Sequence, residues 1–419
     1  MTSTPLDPRP TRVRPLCALF GASLALASFA AGATSVAHAA DCNTLPNPIY
    51  GIGGSAATNL FKRLGTRLAS LPDDQKITVI YSDPGACQAM TALVQNTPLS
   101  GTGKYWDAAG TEATCTYPSG STQLADWGAM AQEATTCQGI DKLPDTVGDY
   151  LGPVSGFSLI VPNGSSEYAI SAEAVYYIYG LGIGTGFDVA PWTVPGAIAA
   201  RTTTSAAGLL LAKAVGIPVA RALAYSQTND VKTNQGAVDF VTATSPAAVA
   251  NPNAALGFCS TETADANRAK VRTLAFKAVD QDCAYGPDST ATATDKKNLR
   301  EGRYYLWNAH HVFARLDAQK QPIKPALSKF LDIFTSKELL PGTQSYIDLL
   351  IANGNVPECA MRVKRDGDMG PLASFQPEKP CGCYFDSKTT GSTPSCTPCT
   401  SDTECSAGSV CSFNFCEVK

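Results

Sequence analysis

Pro48-Ile-Tyr-Gly-Ile-Gly-Gly-Ser-Ala-Ala-Thr-Asn-Leu-Phe-Lys-Arg-Leu64 reads as a short strand, a glycine-rich turn and a helix. The strand stops at Gly53-Gly54, Ser55 opens the helix, and Leu60, Phe61 and Leu64 recur at the spacing of one buried helix face. Glycine at such a turn lets backbone approach a ligand. The new helix adds N–H groups and the positive end of its dipole. The same grammar follows at once. Lys76-Ile-Thr-Val-Ile-Tyr81 is a strand, Ser82-Asp-Pro-Gly-Ala-Cys87 a turn, and the next helix carries Met90, Leu93 and Val94. Two such units in a row predict an α/β fold with an open parallel sheet and ligand at the carboxyl ends of its strands. A mononucleotide phosphate loop is excluded, because no Gly-Lys-Ser/Thr closes either turn.

The pattern returns at Arg201-Thr-Thr-Thr-Ser-Ala206, directly ahead of an apolar helical run from Ala207 to Val215. Ser205 can cap the first turn, and Gly216 with Pro218 stops the helix. A guanidinium followed by hydroxyls and by free N–H groups at a helix start grips a small oxyanion. A surface Arg before an ordinary capped helix has the same local sequence; the threefold recurrence favours a binding site. No catalytic group stands beside it.

Residues 1–41 read as a targeting segment. Arg9, Arg12 and Arg14 precede an Ala-rich apolar stretch, and Ala37-His-Ala39 fits small-x-small cleavage. An uncut N-terminal anchor is the competing reading. Asp41 before Cys42 departs from a lipid-attachment pattern, so a soluble exported protein is expected. The chain carries a formal net charge of −4, and losing the three arginines makes it more acidic. That excludes a nucleic-acid partner, which needs a basic face, and an anion site must then be built from a few local donors. Of fifteen Cys, all but Cys17 lie beyond the segment. They form an even set, and in an exported chain disulfides are the default.

Between the motifs, residues 98–121 read as a Gly/Thr/Ser-rich loop held by a disulfide through Cys115. Leu124–Met130 reads as a strand leading into a helix that reaches Cys137. Leu159–Pro162 is a strand and Ile170–Tyr179 an amphipathic helix, with passage into a second lobe near residue 165. Residues 226–300 are polar and irregular around a strand at Ala254–Cys259 and a helix from Asn267 to Ala278, with Cys259 expected to pair with Cys283. Glu301–Trp307 returns to the first lobe. Helices at Pro325–Phe334 and Thr343–Ala352 and a strand at Ala360–Arg365 complete it.

In order and spacing these pieces resemble the phosphate-binding type of periplasmic substrate-binding protein, the soluble component of an ABC importer, from Tyr50 to about residue 350. Gly51, Gly53 and Ser55 fit the family's first anion loop. Asp126-Trp-Gly-Ala-Met-Ala131 is similar to its Asp-Phe-Gly-Ala-Ser-Asp segment, and Trp192, Arg201 and Ser205 fall in step with its third section. The resemblance implies a two-lobed type II fold with a hinge cleft, lobe 1 over 42–165 and 305–375 and lobe 2 over 166–304; composition alone marks a tail over 376–419, a module such binders do not normally carry. It implies a ligand held by Gly54, Ser55, Ala56, Ala86, Arg201, Thr204 and Ser205. Ala86 stands where the family has Ser, and Ala131 where it has the carboxylate that accepts the proton of hydrogen phosphate. An acceptor there separates a protonated oxyanion from sulfate; Glu133 and Asp83 are the nearby substitutes. Phosphate comes first as ligand, with sulfate or another oxyanion behind it, and an ABC permease is the implied partner.

His310 and His311 are the only histidines beyond the targeting segment. Read as helix neighbours they point about 100° apart and cannot ligate one ion together. No Gly-x-Ser-x-Gly turn supports a hydrolase. Residues 376–419 form a Cys-rich appendage similar to tails on exported myxobacterial proteins. Its seven Cys with Cys359 make four bridges, against zinc as the rival. No metal or cofactor is expected. The alternative function is a degenerate binding fold acting at the cell surface through this tail.

Overall fold

The computed structural model describes residues 39–118, 120, 122–201, 205–218, 221, 229–338, 340, 345–389 and 396–418. The strands are β1 (Ala40–Asp41), β2 (Pro48–Gly53), β3 (Thr78–Ser82), β4 (Thr102–Trp106), β5 (Glu112–Thr116), β6 (Trp127–Met130), β7 (Val147–Pro162), β8 (Ala169–Ser171), β9 (Ala200–Arg201), β10 (Asp230–Val231), β11 (Gly257–Ser260), β12 (Val271–Thr273), β13 (Ala275–Lys277) and β14 (Trp307–Arg315). A ten-stranded sheet runs β1-β5-β4-β3-β2-β6-β14-β7-β11, with β12 also on β7. The α/β class is as read, but the sheet is mixed. β2 pairs parallel with β3 and β6, whereas β14 is antiparallel to both β6 and β7.

The helices that matter for the site are α1 (Thr58–Ala69), α2 (Ala86–Val94), α3 (Ala172–Val175), α4 (Ala206–Val215) and α5 (Asn234–Asp239). α1 buries Leu60, Phe61 and Leu64, the stripe its spacing announces. Phe61 meets Trp127 edge-on at 4.7 Å and Phe330 at 6.0 Å, so the helix Pro325–Phe334 closes the same aromatic core. Gly51 is required there: a Cβ would lie 2.1 Å from Trp127 Cζ2.

β7 is sixteen residues long, far beyond the expected four. Its first part pairs with β14 and its last with β11 and β12, so one strand carries the sheet from one side of the molecule to the other. Its pairing stretch is unbrokenly buried from Pro153 to Val161, as a strand covered on both faces must be.

Several expectations are corrected. Residues 98–121 hold the β4–β5 hairpin instead of a loop, though Cys115 is indeed bridged, to Cys42. Ile170–Tyr179 breaks into β8, the single turn α3 and a π-helical segment Tyr176–Leu181. The expected helix Asn267–Ala278 is instead β12 and β13, after a short helix Thr261–Ala266. Cys259 and Cys283 are both free, one buried and one exposed. Cys259 is fully enclosed in the core beneath β11, where a partner from the exposed 283 loop does not reach.

The C-terminal segment closes four bridges, Cys359–Cys381, Cys383–Cys396, Cys399–Cys411 and Cys405–Cys416. Cys399, Cys405 and Cys416 lie close enough together to suggest a metal, but all three are consumed in disulfides. The strands Val363–Arg365 and Leu372–Ser374 (β15, β16) form one hairpin, and Ser409–Ser412 with Phe415–Val418 (β17, β18) another. The helix Gly382–Lys388 belongs to the main body, for Cys381 and Phe385 join its core and Arg300 ion-pairs with Asp386. Cys87–Cys137 is the sixth bridge. Residues 1–38 of the expected targeting segment lie outside the described residues, and Ala40–Asp41 already form β1 against β5. No described helix is long and apolar enough to cross a membrane.

Candidate functional site

Three strand ends and the helices after them surround a cavity of about 550 Å³. At the first, β2 ends on Gly53, where a Cβ would stand 2.2 Å from Tyr81 Oη and 2.5 Å from the Ala129 carbonyl. Gly54 donates its N–H to Ala129 O at 3.2 Å and accepts from Tyr81 Oη at 2.8 Å. Its amide is therefore spent on the sheet, and Gly54 lines the cavity as surface only. Ser55–Ala57 form a 3-10 turn leading into α1. The opening N–H groups of such a turn have no intrahelical acceptor.

The second strand end is packed onto the first. Gly85 takes φ 128°, open to glycine but costly for other residues, and donates to Gly53 O at 3.2 Å. That places Ala86 at the start of α2 so close to Gly54 that a Cβ on the glycine would meet Ala86 Cβ at 3.3 Å. Ala86 lines the same space.

At the third, β9 delivers Arg201 and α4 begins at Ala206. Ser205 Oγ accepts from Gly208 N–H at 3.5 Å, which leaves the hydroxyl proton for another acceptor. Gly216 closes α4 in the left-handed conformation, as the sequence predicts. Thr204, expected to bind, lies outside the described residues. Gly54, Ser55, Ala56, Ala86, Arg201 and Ser205 all line this one cavity.

Arg201 is held rigidly. Its Nη1 donates to Asn234 Oδ1 at 2.7 Å and to the Phe258 carbonyl at 3.3 Å, while its Nε is buried without a hydrogen-bond partner. Among the described residues no carboxylate lies within ion-pair distance of its guanidinium. Burial pulls its pKa down to about 10, more than the neighbouring Cys259 and Asp230 raise it, and it remains a cation at neutral pH.

Four further side chains on the cavity wall went unrecognised in the sequence: Gln88, Lys104, Lys232 and Thr233. Lys104 sits on β4, inside the stretch read as a loop. Lys232 and Thr233 join β10 to α5, with Thr233 Oγ1 capping Gly236 N–H at 2.9 Å. This is a fourth strand-turn-helix, β10 lying parallel to β9. Its Thr233-Asn-Gln-Gly cap was the only signal available.

The two substitute carboxylates part company. Asp83 lines the cavity, 3.4 Å from Lys104 Nζ and accepting from Thr58 Oγ1 at 3.3 Å. Ala131 is buried in the core, and Glu133 faces a separate cavity of about 310 Å³ together with His311 and Asp368. There Glu133 accepts from the Asp368 N–H at 3.2 Å.

The two histidines lie on β14, where neighbours face opposite sides of the sheet, and not on a helix. His311 Nδ1 lies 2.9 Å from Asp149 and its Nε2 3.4 Å from Asp368. Burial opposes the charge, but the two carboxylates prevail and raise its pKa to about 9; burial, reinforced by His311, lowers that of His310 to about 4. A raised pKa stabilises the fold fully below the unfolded value of 6.5, and that stabilisation is lost as pH climbs through about 9. The loss is about 3 kcal/mol at 1.36 kcal/mol per unit. Urea midpoints should fall between these pH values, and His311→Gln should flatten the fall. The acid limb is less informative. His310 loses stability as pH falls from 6.5 towards 4, while Glu262, pushed up to about 7 by burial, gains it over an overlapping range.

No family model matches the chain and no curated protein matches it. Among solved structures, similarity extends to a Clostridium perfringens protein solved with bound phosphate, at 11% identity and a TM-score of 0.48, covering 74% of this chain and 99% of that one. An ABC-type phosphate transport receptor from Vibrio cholerae has 13% identity and a TM-score of 0.43, covering 73% and 99%. A Corynebacterium glutamicum OxyR mutant has 9% identity and a TM-score of 0.39, covering 76% and 69%.

Proposed function

We propose that this is an exported solute-binding protein that captures a small oxyanion, phosphate ahead of sulfate, at Ser55, Ala56, Ala86, Arg201 and Ser205. The observation that carries the reading is a half-buried guanidinium with no described carboxylate partner, facing the starts of α1, α2 and α4 in one cavity. A desolvated cation is costly without a counter-charge. Helix N-termini supply the amides and positive dipole that an anion completes. Among the described residues nothing in the cavity forms a nucleophile-base pair, and the reading is of a binder and not an enzyme.

The family's two lobes, 42–165 with 305–375 and 166–304, would meet at this cavity, with β7 and β14 as the strands on which closure turns. An ABC permease would receive the ligand. Export through residues 1–41 fits six bridges, since such bonds persist in oxidising compartments. The C-terminal helix Gly382–Lys388 is part of the body's core, which favours the solute-binding reading over a surface protein acting through a free tail.

Calorimetry with phosphate and sulfate tests this: micromolar or tighter phosphate binding supports it, and absence of heat with either anion overturns it. Asp83 would replace the missing acceptor. In Asp83→Asn, phosphate is expected to lose roughly 1.5 kcal/mol, about tenfold, of its advantage over sulfate. An unchanged ratio removes Asp83 from that role.

A further inference from the structure

The geometry points to a phosphate monoester of a small hydroxylated carbon skeleton as the ligand of this cavity, in preference to a bare tetrahedral anion; the inference rests on the oxyanion-binding reading above. Size is the first observation. A four-oxygen anion displaces on the order of 100 Å³, about three waters at ~30 Å³ each, whereas the cavity measures about 550 Å³. That falls within the roughly 300–1,000 Å³ of sites for organic ligands.

The second observation is that the polar groups come in two tiers. Ala86 and Ser205 are buried, and the half-buried Arg201 beside them is fixed by Asn234 and the Phe258 carbonyl. Gln88 and Lys232 are exposed, and Lys104 is 38% exposed along its side chain. An anion seated against the enclosed donors leaves this outer tier facing water. A skeleton attached to the anion reaches it. The Gln88 carbonyl then accepts from hydroxyls, and Lys104, Lys232 and the Gln88 amide donate to them.

The third observation excludes other substituents. Among the described residues the lining contains no aromatic and no branched aliphatic side chain. A base or an acyl chain has no face to pack on, whereas a polyol needs only hydrogen-bonding partners.

The test is calorimetry on the intact chain with inorganic phosphate, glycerol phosphate, a hexose phosphate and unphosphorylated glycerol. The inference expects at least one monoester to bind on the order of tenfold more tightly than phosphate, and glycerol not to bind. In Gln88→Ala and Lys232→Ala the monoester should weaken at least about fivefold more than phosphate does, the signature of contacts made by the skeleton. Phosphate binding as tightly as, or more tightly than, every monoester overturns the inference and leaves the oxyanion reading intact. No binding of any phosphate-bearing ligand overturns both. Equal weakening of phosphate and monoester in both variants also overturns it.

Discussion

Arg201→Ala is expected to weaken phosphate binding at least about thirtyfold, the ~2 kcal/mol of a charge-assisted pair lost from an enclosed site. Among the described residues Arg201 is the one side chain beside the starts of α2 and α4 that carries a full positive charge without a carboxylate partner, and its position is fixed through Nη1 by Asn234 Oδ1 at 2.7 Å and Phe258 O at 3.3 Å. Arg201→Lys should fall between the two, because a flexible ammonium keeps the charge but loses the planar fork. Thermal stability without ligand should behave differently. Arg201→Met removes a desolvated cation but leaves the Asn234 and Phe258 oxygens one donor short, about 1 kcal/mol each. The two effects offset, and the unliganded melting temperature should move little. Large losses in affinity without large losses in stability are the mark of a residue kept for ligand. An Arg201→Ala variant that binds within twofold of the parent would remove this residue from the site.

Lys296→Ala should produce the largest loss of stability, about 3–5 kcal/mol, the usual result of removing one member of a buried ion pair. Lys296 is 1% exposed, with Nζ 2.6 Å from Asp265 and 2.9 Å from Asp288. Burial opposes its charge, but those two carboxylates outweigh it and keep the ammonium protonated. Arg268 bridges the same pair at 2.6 Å and 2.9 Å. Removing Lys296 leaves a 7% exposed Asp288 facing Asp265 with one cation fewer. Urea denaturation measures the loss. Adding Asp288→Asn to the variant should recover part of it by deleting the stranded charge; a double variant less stable than the single one would contradict that explanation. The network braces the helix Thr261–Ala266, which directly follows β11, and β11 carries the Phe258 carbonyl that holds Arg201.

Much of the site's skeleton is legible in the sequence, because it is written in local punctuation. Gly53-Gly54-Ser55, Gly85-Ala86 and Ser205 with Gly216 each mark a strand end or a helix limit whose backbone demands that residue type. Pro325 likewise opens its helix at the position read for it. What escaped depends on partners remote in sequence. Thr102–Trp106 sits in a Gly/Thr/Ser-rich stretch and forms a strand where Gly103 lets it press against Ile80 and Tyr117; a Cβ there would come within 2.5 Å of each. The run from Asn267 to Ala278 has helical composition, yet β12 is captured by β7 and β13 by β8, tertiary pairing overriding propensity. Lys104 was invisible as a site residue for the same reason. Cys259 and Cys283 satisfied a parity argument that ignores depth: one is in the core and the other at the surface.

The most direct measurement is a crystal of the intact protein soaked in tungstate, a tetrahedral oxyanion with a strong anomalous signal. The account predicts an anomalous peak inside the cavity, within hydrogen-bond distance of the Arg201 guanidinium and of the N–H groups of Ala56, Ala86 and Ala206. Tungsten found only at other surfaces, with this cavity holding solvent alone, would contradict it.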